Sequence, residues 1–108
     1  MPFKVFLTSD AECDLEEIGD YITVHDAPEK AQYVLTRIEK TYKNLSQFPE
    51  RGAYPKELLA LGIHEYREVF FKPYRIIYRL IGKSVFIYLI SDGRRDMQGL
   101  LQRRLLSL

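Results

Sequence analysis

The 108 residues hold 16 Lys/Arg against 15 Asp/Glu and are 46% hydrophobic, which suits a single domain over residues 1–108 with one core. No apolar run approaches the about 20 residues of a membrane span, and the start Met1-Pro2-Phe3-Lys4 has no long apolar export segment, so a cytoplasmic chain without membrane contact is expected. Cys13 is the only cysteine, which excludes an internal disulfide and a cysteine-based metal site.

Residues 3–8 are short, β-prone and partly alternating, and predict a strand. Ser9 and Glu12 have the S-x-x-E spacing of a capping box. Behind them Ala11, Leu15, Ile18 and Ile22 recur at helical spacing, with Glu12, Glu16, Glu17 and Asp20 on the other side. This first helix is expected to end near His25. Asp26 and Pro28 restart a second helix, with proline in its favoured first turn. Its stripe is Ala31, Val34, Leu35, Ile38, Tyr42 and Leu45, and it stops before Pro49. The two stripes predict an antiparallel αα-hairpin with one shared apolar side. Residues 49–63 are a connector punctuated by Pro49, Gly52, Pro55 and Gly62, with one helical turn over 57–61.

Three strands follow in quick succession, at 65–71, 74–81 and 84–90, linked by Lys72-Pro73 and Gly82-Lys83. Alternation along the middle strand places Tyr74, Ile76, Tyr78 and Leu80 on one face, and Arg75, Ile77, Arg79 and Ile81 on the other. The first set is the natural partner of the helical hairpin. The second is then an open face carrying Arg75 and Arg79, and Arg67, Val69 and Phe71 are expected to join it from the preceding strand. The class is therefore α+β, a small antiparallel sheet packed on an N-terminal αα-hairpin in the order β-α-α-β-β-β. Met97, Leu100, Leu101, Leu105 and Leu108 recur at helical spacing behind Asp96, a suitable N-cap, and predict a short amphipathic helix over 97–106. Its leucines must dock, on the chain's own core edge or on a partner, because so short a helix does not persist alone.

Charge is unevenly spread. Residues 1–63 hold 7 Lys/Arg against 11 Asp/Glu, and residues 64–108 hold 9 against 4. Either the basic half meets an acidic partner, or the halves attract each other within the fold.

Taken in order, Ala11-x-x-x-Leu15-x-x-Ile18-x-x-Tyr21-Ile22, Leu45-x-x-x-Pro49-x-x-Gly52, Glu65-Tyr66-Arg67, Tyr74-Arg75-Ile76-Ile77-Tyr78 and Gly93-Arg94-Arg95-Asp96 span nearly the whole chain. In that order and spacing it resembles the RelE/ParE superfamily of toxins from bacterial type II toxin–antitoxin (plasmid stabilisation) systems, and is more similar to the ParE branch. The resemblance implies a β-sheet on an αα-hairpin, a cognate antitoxin whose C-terminal segment silences the toxin, no cofactor and no metal. It is compatible with a homodimer or a toxin–antitoxin hetero-oligomer.

Two activities follow from the resemblance, beside a third reading in which a toxin-fold protein acts only as a binding partner without toxicity. RelE-like members are mRNA interferases, endoribonucleases acting on the ribosome, and such cleavage needs a proton acceptor, a proton donor and cations for the phosphorane. Arg67 matches the arginine those enzymes carry after the connector, and Arg94 or Arg95 supplies a second cation. The segment Ser91–Met97, however, has neither His nor Tyr, and arginine is a poor proton carrier. His25 and His64 lie at a helix end and before a strand. ParE-like members instead inhibit DNA gyrase by binding it, which needs only a complementary surface, so the residues favour a non-enzymatic gyrase inhibitor. The residues expected to meet target or antitoxin are Arg67, Val69, Phe71, Arg75, Ile77 and Arg79 on the open face, Arg94 and Arg95 after the last strand, and Leu101, Arg103, Arg104 and Leu105 on the C-terminal helix.

Overall fold

A computed structural model describes residues 2–106. Its elements are β1 (Lys4–Leu7), α1 (Ser9–His25), α2 (Pro28–Lys43), α3 (Lys56–Leu59), β2 (Tyr66–Phe71), β3 (Tyr74–Ile81), β4 (Ser84–Asp92) and α4 (Met97–Leu105), with a 3₁₀ turn at Asn44–Ser46. The sheet runs β1-β4-β3-β2. It is antiparallel through β2, β3 and β4, and β1 adds in parallel to β4, pairing Val5 with Val85 and Leu7 with Ile87. The sheet is therefore mixed at one edge within the expected α+β fold.

Helix starts follow local chemistry. Thr8, rather than Ser9, caps α1: its hydroxyl accepts the Ala11 N–H at 3.2 Å. Ser9 is already helical, so the cap sits one residue earlier than the S-x-x-E spacing suggests. Pro28 occupies the first turn of α2, whose cap residue Ala27 makes no side-chain bond. Asp96 caps α4 by accepting the Gly99 N–H at 3.1 Å.

Two cores flank the sheet. On one face Ala11 and Ile22 of α1 and Ala31, Val34, Ile38 and Tyr42 of α2 pack against Val69, Ile76, Tyr78, Val85, Ile87 and Ile90. A Cβ on Gly19 would stand 3.0 Å from a Leu35 methyl, so this glycine lets α1 and α2 approach closely. On the other face Leu58 of α3 and Met97 and Leu101 of α4 pack on Tyr66, Ile77 and Leu89. That face was expected to be open; instead α3 and α4 cover much of it. A bulge opposite Ile77 and Tyr78 reverses the alternation of β4, so Ile87 enters the first core and Leu89 the second.

Candidate functional site

The two-residue link Lys72-Pro73 pairs Phe71 with Tyr74, and the antiparallel register then sets Val69 opposite Ile76 and Arg67 opposite Tyr78. Directly opposed residues share a face. Arg67, Val69 and Phe71 consequently belong to the helical-hairpin face, contrary to the expectation that they join Arg75 and Arg79. Val69 is core, and Phe71 lies beneath the Arg37 guanidinium at 5.7 Å. Arg67, at the margin of that face, donates to the Gly52 carbonyl at 2.9 Å and to the Glu50 carbonyl and Tyr54 hydroxyl at 3.2 Å each. Its guanidinium stacks 4.7 Å over the Tyr54 ring.

Arg75 does face the second side, but it is buried rather than open. Its Nε donates to Glu68 at 2.7 Å, and its two terminal nitrogens donate to the two Glu57 oxygens at 2.8 Å each. Hydrogen bonds from Arg75 hold the Glu57 carboxyl below its ordinary range, whereas burial pushes Glu68 up despite the same arginine. The arginine itself is raised, chiefly by Glu57, and stays charged. Ile77 is fully buried beside it. Arg79 is half-buried, 5.8 Å from the Tyr66 ring, and forms no ion pair among the described residues.

The later basic residues are equally divided. Arg94 is exposed and chelated by Asp92, and the arginine's hydrogen bond holds the Asp92 carboxyl down. Arg95 is exposed without such a partner among the described residues. Both line a cleft of about 480 Å³ between α1 and the end of β4, with Ile18, Tyr21, Tyr74 and Ile90. Arg67 lines a separate hollow of about 260 Å³ with Tyr54, His64, Glu65, Arg79 and Leu80. The structure thus does not bring Arg67 together with Arg94 and Arg95. His64 stands edge-on to Tyr54 at 5.7 Å, and His25 Nδ1 lies 2.9 Å from the Tyr21 carbonyl.

On α4, Leu101 is core and Leu105 is half-buried against it. Leu108 lies outside the described residues. Arg104 makes two 3.0 Å bonds to the Asp14 carboxylate and a 2.7 Å bond to the Tyr88 carbonyl, and the same carboxylate accepts the Ile90 N–H at 2.9 Å. The β1–β4 pairing ends at Leu7 and Ile87. Beyond it, where β1 no longer runs alongside, the Asp14–Arg104 pair bonds two backbone groups of β4, the Ile90 N–H and the Tyr88 carbonyl. Arg103 alone of the α4 candidates stays exposed.

The family described as the ParE toxin of type II toxin-antitoxin system, parDE, matches residues 5–97. The chain belongs to this family. Toxin ParE3 of Caulobacter vibrioides is 29% identical over 101 residues, 94% of this chain and 97% of that protein. Among solved structures, the chromosomal ParDE TA system from P. aeruginosa matches with TM-score 0.71 at 28% identity, covering 83% of this chain and 95% of the other. The RelBE2 toxin-antitoxin complex of Mycobacterium tuberculosis shares the fold, with TM-score 0.62 at 20% identity over 85% and 99% of the two chains.

Two features of this ParE chain escaped the sequence reading. Glu57 and Asp14 are the anchors of Arg75 and Arg104, and the available signal was that an arginine inside an apolar central strand needs a carboxylate. The other is that the second face is divided. The part over Tyr66, Ile77 and Leu89 lies under α3 and α4, while Phe6 on β1, 43% exposed, and Ile81 at the end of β3, 47% exposed, are left uncovered.

Proposed function

We propose that this ParE chain acts by binding DNA gyrase rather than by cleaving RNA, and that a cognate antitoxin neutralises it in a hetero-oligomer. The observation that carries the reading is the separation of Arg67 from Arg94 and Arg95 into different depressions. In-line cleavage at the 2′-hydroxyl needs cations and two proton-transfer groups around one phosphate. Here Arg75 and Arg104 are consumed by carboxylates within the fold, and Arg94 is shared with Asp92. A binding inhibitor needs none of that convergence. It needs accessible surface, which Arg67, Arg79, Arg95 and Arg103 supply at several points on the molecule.

One observation favours the alternative, a ribosome-dependent mRNA interferase. The smaller hollow gathers His64, Tyr54, Arg67 and Arg79, so an imidazole stands beside two cations. The imidazole makes no hydrogen bond to a carboxylate among the described residues, although Glu65 lines the same hollow, and its ring stands edge-on to Tyr54. The discriminating experiment is a pair of assays on purified toxin: gyrase supercoiling with accumulation of cleaved DNA, and ribosome-dependent cleavage of mRNA. The binding reading predicts activity in the first assay, unchanged by His64→Ala, and none in the second.

A further inference from the structure

β1 ends at Leu7, opposite Ile87, so the last part of β4 has no neighbouring strand on that side. In an antiparallel pair, residues alternate between exchanging hydrogen bonds with the partner strand and turning both backbone groups away from it. The Ile90 N–H points away from β3, because it donates to the Asp14 carboxylate at 2.9 Å. The Gly93 N–H points the other way, donating to the Pro73 carbonyl at 2.8 Å. By parity the Ile90 C=O and the Asp92 N–H both lie on the outer side, and neither has a hydrogen-bond partner among the described residues. Asp14, Ile90 and Asp92 are all walls of the cleft of about 480 Å³ beside α1. The free acceptor at 90 and the free donor at 92 therefore open into it.

The pair stands alone on this edge. Before it, the Tyr88 carbonyl accepts from Arg104 at 2.7 Å, and after it the Asp92 carbonyl accepts the Arg95 N–H in a turn. An added peptide strand needs a run of open backbone groups, so one acceptor and one donor fit the edge of a single planar ring instead. The walls suit such a ring. Tyr21 and Tyr74 line the cleft together with the apolar Ile18, Ile22 and Ile90. The His25 ring stacks on Tyr21 at 4.1 Å and is itself held at the Tyr21 carbonyl, which fixes one face of the phenol ring and leaves the other free. Of the charged groups at the rim, Asp14 is paired with Arg104 and Asp92 with Arg94. Glu17 and Arg95 are exposed and form no ion pair among the described residues.

We infer that this cleft binds a purine nucleoside monophosphate, with the base edge on the Ile90 C=O and Asp92 N–H, a ring face on Tyr21 and the phosphate on Arg95. A purine presents a hydrogen-bond donor beside an acceptor on one edge, as adenine does with its exocyclic amine and the neighbouring ring nitrogen, and this matches the free backbone pair. Stacking on a phenol ring suits any base, and a guanidinium matches phosphate in geometry and charge. Glu17, on the α1 side, supplies an acceptor for ribose hydroxyls. The volume lies within the about 300–1,000 Å³ of small-ligand sites. A free nucleotide and an unpaired base in a strand share this chemistry. Asp14, Glu17 and Asp92 around the cleft oppose a polyanion, which selects the free monophosphate. The chemistry of the cleft does not depend on the gyrase target, so either can fail without the other.

The test titrates isotope-labelled full-length toxin with adenosine 5′-monophosphate and follows the backbone amides by NMR. The Asp92 amide should shift as the site fills. Affinity should fall about tenfold or more in Arg95→Ala and in Tyr21→Ala, while Arg79→Ala, in the separate hollow, binds as the parent does. Circular dichroism melts of each variant check the fold. The analogue dimethylated on its exocyclic amine has lost the donor to the Ile90 carbonyl, and should bind about tenfold or more weakly. No binding at millimolar nucleotide, shifts at His64 and Arg67 without Asp92, or equal affinity for the dimethylated analogue overturns the assignment. Inorganic phosphate that competes as well as the nucleotide reduces the site to an anion contact and overturns it too. An oligoadenylate held more tightly than the monophosphate at the same amides assigns the cleft to a base within a strand, which also overturns the proposal.

Discussion

Replacing Arg75 with methionine removes the cation that bridges the buried Glu68 and half-buried Glu57 carboxylates. Arg75 and Glu68 are both under a tenth exposed, and the Glu57 side chain is 15% exposed, so water cannot take the arginine's place at little cost. Breaking a buried pair by removing one member costs about 3–5 kcal/mol. With two carboxylates orphaned, a value of about 4–5 kcal/mol at pH 7 is expected, a large share of the total for a domain of this size. At about 4–8 °C per kcal/mol the melting temperature should fall by about 20 °C or more.

The pH dependence gives the sign. In the parent protein Arg75 holds Glu57 down, while burial raises Glu68. In Arg75→Met the arginine's downward pull is lost from both carboxyls while burial remains, so both folded-state pKa values rise relative to the parent. The deficit relative to the parent is then smallest where both carboxyls are protonated, and it grows as pH climbs from the unfolded carboxylate range of about 4–5 through the raised folded values. The deficit relative to the parent should shrink between pH 7 and pH 4. The assay is urea denaturation at both pH values, with a Glu57→Leu/Glu68→Leu/Arg75→Met variant alongside. Because an apolar trio replaces the charges without orphaning any, that variant should recover most of the loss. A deficit below about 1 kcal/mol, or one independent of pH, would refute the account of the triad, since neither fits an orphaned buried carboxylate.

Three further outcomes follow from the packing. Gly52→Ala should destabilise by more than about 3 kcal/mol in thermal melts, because the added methyl would stand 2.6 Å from the Tyr78 hydroxyl and 2.7 Å from the Glu68 carbonyl oxygen. Asp14→Ala should cost about 2–4 kcal/mol, since it takes both carboxylate bonds from Arg104 and strands the Ile90 N–H; hydrogen exchange at Ile90 should accelerate with it. Deleting residues 97–108 removes Met97 and Leu101 from the second core, at about 1.5–3 kcal/mol for each side chain. Thermal stability should collapse along with activity, and a truncated toxin as stable as the parent would contradict the docking of α4.

Much of the fold was legible because it depends on local periodicity. The stripes Ala11–Ile22 and Ala31–Leu45 define the hairpin, and alternation along β3 separates Tyr78 from Ile77 across the sheet. The faces of β2 were misread, although the signal was present. A two-residue link pairs Phe71 with Tyr74, and stepping back along the ladder puts Arg67 opposite Tyr78, on the hairpin face. Other features needed contacts between residues far apart in sequence. Asp14 and Arg104 meet across 90 positions, and the bulge in β4 that sends Leu89 into the second core leaves no mark in composition. Fates of individual arginines were the least legible, because guanidinium groups at similar spacing are a buried strut at 75, a stacked edge at 79 and an exposed chelate at 94.

The most direct test of the central claim is gyrase-mediated cleavage of supercoiled plasmid with purified toxin, followed by detergent and protease to release trapped complexes. The account predicts linear DNA that rises with toxin concentration and disappears when the antitoxin is added first. Supercoiling and cleavage left untouched at saturating toxin, together with cleavage of ribosome-bound mRNA by the same preparation, would contradict it.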